Sequence, residues 1–143
     1  MVLDQASKQM IAAALTLGES LRMTSFFDLV LVFNRGAAFS FLSDAGGWQR
    51  WFFIVLALVI STWIVFMLAR HAEERLLSAA LALVLGGALG NVIDRLWHGA
   101  VVDFLSFHLE GYYWPAFNLA DSAISLGVAL MLWQQLAQGR SLR

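Results

Sequence analysis

Long apolar runs alternate with short polar stretches along the chain, and three of the runs approach the length of about 20 residues that a membrane-crossing helix needs: Trp51–Ala69, Leu76–Ile93 and Phe117–Leu136. The first is apolar from end to end apart from Ser61 and Thr62, whereas the other two carry polar residues at one end only. Val2–Leu17 is apolar enough to be embedded, but it is short and holds Asp4 and Lys8, so it reads as the second half of a helix, a partial span over about residues 2–17. Gly18–Trp48 shows β-type alternation around Phe26–Phe33 and then the small residues of NRGAAFSFLSDAGG, which predicts a short strand or two and a turn. Asp94–Ala116 is a second link, broken by Gly99, Gly111 and Pro115. Irregular backbone facing lipid leaves its amides unsatisfied, so both links are expected at the membrane surface or against protein.

If the spans alternate in direction, the Arg70–Arg75 loop and the Arg140–Arg143 tail share one side of the membrane, and segments 18–50 and 94–116 share the other. The polar residues gather on that second side. Arginines are equal in number on the two sides, so charge counting leaves the orientation open.

Composition agrees with the pattern. The 143 residues are 60% hydrophobic and 13% charged, which suits one domain, spanning residues 1–143, in a membrane. A formal net charge of -1, with no run of Lys or Arg, leaves nothing to grip nucleic acid. The absence of cysteine removes disulfides, thiol nucleophiles and cysteine-ligated metal together. His71, His98 and His108 are scattered, with no pair at i, i+4, so no metal site is expected. An acid at position four and the lack of a basic leader argue against a cleavable signal peptide.

Ionisable residues inside a membrane helix are costly and tend to mark function. Asp4 and Lys8 stand at i, i+4 and can pair on one helix face, as a plain ion pair or with Lys8 snorkelling to the headgroups. Asn91, Asp94 and Arg95 share one sector of a helix, and Arg95 is the expected cation beside Asp94. The glycines at 86, 87 and 90 permit close helix contact. Asp103 and Asp121 differ from these: neither has Arg or Lys within four residues, Asp103 lies in the apolar VVDFL, and Asp121 follows Asn118 at i, i+3. Two carboxylates in one poorly solvated pocket do not readily both ionise, so one keeps a proton near neutral pH, and the pair supplies the acid and the base that water-driven amide hydrolysis requires. That both simply cap helices or bind surface water is the alternative that the residues themselves leave open.

Four blocks, DQASK (Asp4–Lys8), NRGAAFS (Asn34–Ser40), GNVIDR through VVDF (Gly90–Phe104) and FNLADSAI (Phe117–Ile124), resemble those of the lipoprotein signal peptidases, or signal peptidase II, in the same order. The resemblance implies an all-α, four-transmembrane-helix bundle with a small β segment at the outer surface of the bacterial cytoplasmic (inner) membrane. It implies removal of signal peptides from prolipoproteins, with cleavage before the diacylglyceryl-modified cysteine. By the same resemblance Asp103 and Asp121 are the catalytic aspartates, and Asn34, Asn91, Asp94, Arg95 and Asn118 line the site and hold substrate. Asp4 and Lys8 take supporting roles. No metal or organic cofactor is implied, the expected partners are the lipid bilayer and the lipid-modified substrate, and the protein is expected to be a monomer. The family's first helix begins well before its Asp-Gln pair, so the first helix here is read as truncated at its front.

The rival from another class is a small proton or ion carrier with the carboxylates as a relay. A carrier places polar residues along its full depth, whereas here they cluster at one side. A purely structural membrane subunit would leave the repeated Asn-Asp pairs without a role.

Overall fold

The computed structural model describes residues 1–36 and 46–141. Of the Asn34–Ser40 block, residues 37–40 lie outside the described part, as do residues 142–143 of the tail.

The chain runs α1 (Val2–Ala14), β1 (Ser20–Arg22), β2 (Phe27–Asn34), α2 (Trp48–Arg70), α3 (Arg75–His98), β3 (Val101–Leu109), β4 (Tyr112–Tyr113) and α4 (Leu119–Ser141). Three helices are long and apolar enough to cross a membrane: α2, with a mean hydropathy of 2.7, α3 at 2.1, and Leu119–Ala137 of α4 at 1.2. Each of the three long apolar runs forms one of these helices, with ends moved by a few residues. The thirteen residues of α1 are too few to cross alone at 1.5 Å per residue.

α2 and α3 are joined through the tight turn at residues 71–74, where Glu74 N–H donates to the His71 carbonyl at 3.0 Å. Ile64, Leu81 and Val84 form the buried core between helices. α3 and α4 approach closely through glycine. A Cβ on Gly87 would collide with the Ala120 carbonyl oxygen and stand 2.7 Å from Ile124 Cγ1, and one on Gly127 would stand 2.6 Å from the Ala80 carbonyl oxygen. Small residues thus let two backbones meet where no water drives association.

The β component exceeds the expected segment. The chain is mostly helical, and its β segment is a four-stranded antiparallel sheet in the order β1-β2-β3-β4 beside the helix ends. The strands in 18–34 match the alternation seen there. The link 94–116 does not match its reading as irregular: α3 continues to His98 and β3 occupies nine residues. Val101 to Phe104, Asp103 among them, are all buried, so that end of the strand is covered on both faces and shows no in-and-out alternation. Glu110 (φ 49°) and Gly111 (φ 89°) form the two-residue loop between β3 and β4, where a primed turn needs positive φ at both positions.

Candidate active site

The two carboxylates that lie far apart in sequence are brought together by one backbone seam. Phe117 N–H donates to the Leu105 carbonyl at 3.0 Å, and the Phe117 carbonyl accepts from Phe104 and Leu105 N–H at 3.0 and 2.8 Å. This bridge pins the start of α4 against β3, and Asn118 follows directly. Asn118 caps α4: its Oδ1 accepts from Asp121 N–H at 2.9 Å, while Asp121 Oδ2 accepts from Asn118 N–H at 3.3 Å. This is the reciprocal pattern of a capping box, built from Asn and Asp. Asp121 therefore does cap its helix, and its second oxygen remains for other work.

Asn118, with 0% of its surface exposed, also holds Asp103. Its Nδ2 donates to Asp103 Oδ1 at 2.7 Å and to the Val102 carbonyl at 3.2 Å, with a weaker approach to Asn91 Oδ1 at 3.4 Å. Asn34 Nδ2 donates to Asp103 Oδ2 at 3.1 Å. The sheet register explains this last bond. Val32 pairs with Asp103 and Asn34 with Val101, so Asn34 and Asp103 are diagonal neighbours on one face. Asn91 Nδ2 donates to Asp121 Oδ1 at 2.8 Å. Each of the four carboxylate oxygens thus receives one N–H.

Both aspartates line a cavity of about 640 Å³ together with Asn34, Asn91, Arg95 and the stretch Trp114–Phe117, a volume within the range of small-molecule sites. Burial, and then the charge of Asp121, pushes the Asp103 carboxyl up to about 7, against the pull of its Asn34 and Asn118 donors and of Lys8.

Behind the pair lies a buried ionic cluster. Asp4, Lys8 and Asp94 are each only 2% exposed. Lys8 Nζ reaches Asp94 Oδ2 at 2.7 Å, Asp4 Oδ2 at 3.0 Å and Asn91 Oδ1 at 3.0 Å, so all three ammonium protons are used. The i, i+4 pairing of Asp4 and Lys8 is present, and the snorkelling alternative is not. Asp4 Oδ1 also accepts Ala120 N–H at 2.9 Å, an amide in the first turn of α4.

The expected Asp94–Arg95 partnership needs correction. Asp94 takes its cation from Lys8 and also accepts from Val102 N–H at 3.0 Å and Gln5 Nε2 at 2.8 Å. Arg95 donates instead to the Gly36 carbonyl at 3.0 Å and the Asn91 carbonyl at 3.3 Å, and its guanidinium lies over Phe53 at 5.1 Å. Adjacent residues on a helix point about 100° apart, so neighbours in sequence turn to different partners.

Of the residues singled out from sequence, Asn34, Asn91, Arg95, Asp103 and Asp121 line the cavity. Asn118, Asp94, Asp4 and Lys8 form the layer that holds them. Gln5, the Gly36 carbonyl and the wall from Trp114 to Phe117 were missed. Gln5 sits inside the DQASK block but carries no charge to flag it, and Trp114–Phe117 lies in a stretch read only as a link.

This chain matches the family model for signal peptidase (SPase) II over residues 1–137. It belongs to the signal peptidase II family. The lipoprotein signal peptidase of Azoarcus sp. (strain BH72) is 64% identical over 140 residues, covering 98% of this chain and 80% of the relative. That of Cupriavidus necator is 55% identical over 139 residues, covering 97% and 79%. Among solved structures, a bacterial membrane enzyme determined by the in meso method at 2.3 Å resolution superposes with a TM-score of 0.90 at 32% identity, covering 99% of this chain and 85% of that one. A second, at 1.9 Å resolution, gives 0.82 at 34% identity, covering 94% and 86%. Both likenesses show a shared fold over nearly the whole chain.

Proposed function

We propose that this chain removes signal peptides from bacterial prolipoproteins, cutting before the diacylglyceryl-modified cysteine, and does so as an aspartic endopeptidase with Asp103 and Asp121 as the catalytic pair. The observation that carries the reading is the shared cavity, in which two buried carboxylates are oriented by Asn34, Asn91 and Asn118. In this mechanism a water between the carboxylates loses a proton to one while the other donates to the scissile carbonyl. A tetrahedral intermediate forms without a covalent bond to the enzyme. Asp103, with its raised proton affinity, is suited to be the acid.

Asn34 and Arg95 are proposed to hold the peptide, and Asn91, Asp94 and Asn118 to line and brace the site, with Asp4 and Lys8 in support. The architecture proposed is a single integral domain over residues 1–143, with α1 as the partial first member of four spans and the site near the outer face of the inner membrane. The enzyme is proposed to work as a monomer on a lipid-anchored substrate, without a metal or organic cofactor. The carrier alternative finds no support: polar groups gather where α3 ends and α4 begins, while α2 buries only Gln49 and Ser61 among its polar residues.

The test is cleavage of a diacylglyceryl-modified prolipoprotein in proteoliposomes, beside a proton-flux assay on the same preparations. Asp103→Asn and Asp121→Asn should each lower turnover by about 10²–10⁴-fold while leaving the protein folded in the membrane. Full-rate cleavage by a folded Asp121→Asn, or proton flux that is lost in both variants with no cleavage by wild type, would overturn the proposal.

A further inference from the structure

A second cavity, of about 530 Å³, lies where β2 ends, α2 begins and α3 ends; it is lined by Arg35, Gly46, Gly47, Gln49, Arg50, His98 and Gly99. Among the described residues it shares no lining residue with the carboxylate cavity. Among the described residues its walls carry mostly donors. Arg50 Nη2 donates to the Leu96 carbonyl at 3.1 Å and its guanidinium lies over Trp51 at 5.0 Å, but its Nε is buried with no hydrogen-bond partner. Among the described residues no carboxylate forms an ion pair with Arg35 or Arg50. The first turn of α2 holds no acidic residue, and its N-cap, Gly47, makes no side-chain cap hydrogen bond, so no acidic side chain of that turn offsets the positive end of the helix. Among the described residues the one side-chain oxygen on the wall, Gln49 Oε1, already accepts from Gly47 N–H at 2.6 Å.

Two guanidinium groups, an imidazole and a helix N-terminus with no acidic residue in its first turn suit an anion, and planar Arg donors match phosphate oxygens. The depth of the cavity narrows the source. It sits at one end of two helices long enough to span a membrane, and Trp48, Trp51 and Trp97, each next in sequence to a lining residue, are exposed; exposed tryptophans of this kind collect at the headgroup level. Below it, α2 presents exposed Val55, Leu56 and Val59, a surface along which acyl chains can lie. We infer that this cavity seats the phosphate of a membrane phospholipid on Arg35 and Arg50, separately from any substrate.

Native mass spectrometry of the full chain in detergent tests this with three probes: phosphatidylglycerol, diacylglycerol with the same acyl chains, and inorganic phosphate. Wild type should retain one phosphatidylglycerol in preference to diacylglycerol, and millimolar inorganic phosphate should not displace it. Arg35→Gln should bind the lipid about fivefold more weakly, and Arg35→Gln with Arg50→Gln more weakly still, as expected for interfacial arginines. Arg50 also binds the end of α3, so its loss can affect folding; Arg35 is exposed and keeps the test clean. Equal retention of phosphatidylglycerol and diacylglycerol, unchanged binding by folded Arg35→Gln, or displacement by inorganic phosphate would each overturn the inference.

Discussion

Lys8 Nζ donates to Asn91 Oδ1 at 3.0 Å across 83 positions of sequence. An ammonium group can only donate, so this contact fixes which end of the Asn91 amide is oxygen. The nitrogen end is thereby turned to Asp121, to which it donates at 2.8 Å. A residue that touches neither carboxylate of the proposed pair thus sets the polarity of a bond to one of them.

Removing that ammonium leaves Asp4 and Asp94 buried without their cation. Lys8→Met should cost about 3–5 kcal/mol of stability, the usual penalty for breaking a buried pair from one side. Adding Asp94→Asn should recover part of the stability but not the activity, because Asn91 is then free to flip. The comparison is thermal unfolding and prolipoprotein cleavage on the single and double variants. Full activity in the double variant would show that Lys8 serves stability alone.

The raised proton affinity of Asp103 makes stability depend on pH. Its carboxyl titrates near 7 in the folded protein against 3.8 ordinarily, so between those values the folded state holds a proton that the unfolded chain has released. By linkage, this group's contribution is most favourable below about pH 4, declines as pH rises and levels off above about 7, a change of up to about 4 kcal/mol. Asp103→Asn lacks the titration. The difference in unfolding free energy, wild type minus Asp103→Asn, should therefore fall across that window; a flat difference would contradict the burial of this group. Cleavage should also decline above about pH 7, as the acid loses its proton.

Gly87 and Gly86 should respond differently to alanine despite adjacency. A Cβ at Gly87 meets the Ala120 carbonyl and Ile124, whereas one at Gly86 has only Met1 N, at 3.5 Å, nearby. Gly87→Ala should destabilise by about 1–3 kcal/mol through overpacking, and Gly86→Ala should be nearly neutral or stabilising through helix propensity. Melting temperatures of the two variants in one detergent settle the matter; equal effects would mean that α3 and α4 are less tightly joined than described.

Arg95 is permanently charged and cannot exchange protons at working pH. Its two carbonyl partners and its place over Phe53 give it a holding role. Arg95→Lys should keep part of the activity, since one ammonium can replace one bond, and Arg95→Ala should lose stability and activity together. A stable Arg95→Ala whose only change is a shifted pH profile would assign Arg95 to the chemistry instead.

The sequence alone determined the parts whose signal is local. Spanning helices declare themselves by length and hydropathy, β2 by its period of two, and the solitary carboxylates by their cost in apolar surroundings. The four ordered blocks carried the family. Tertiary structure decided the partners. Asp94 looked paired with Arg95 because they are adjacent, yet helix geometry sends Arg95 to Gly36 and gives Asp94 to Lys8 from a different helix. β3 hid because both faces of its first half are buried, which erases alternation. The meeting of Asp103 and Asp121 depends on the bridge between Leu105 and Phe117, a backbone contact that leaves no mark on side-chain identity. Composition sets what must be buried or paired, but the choice of partner is made only when separate elements pack.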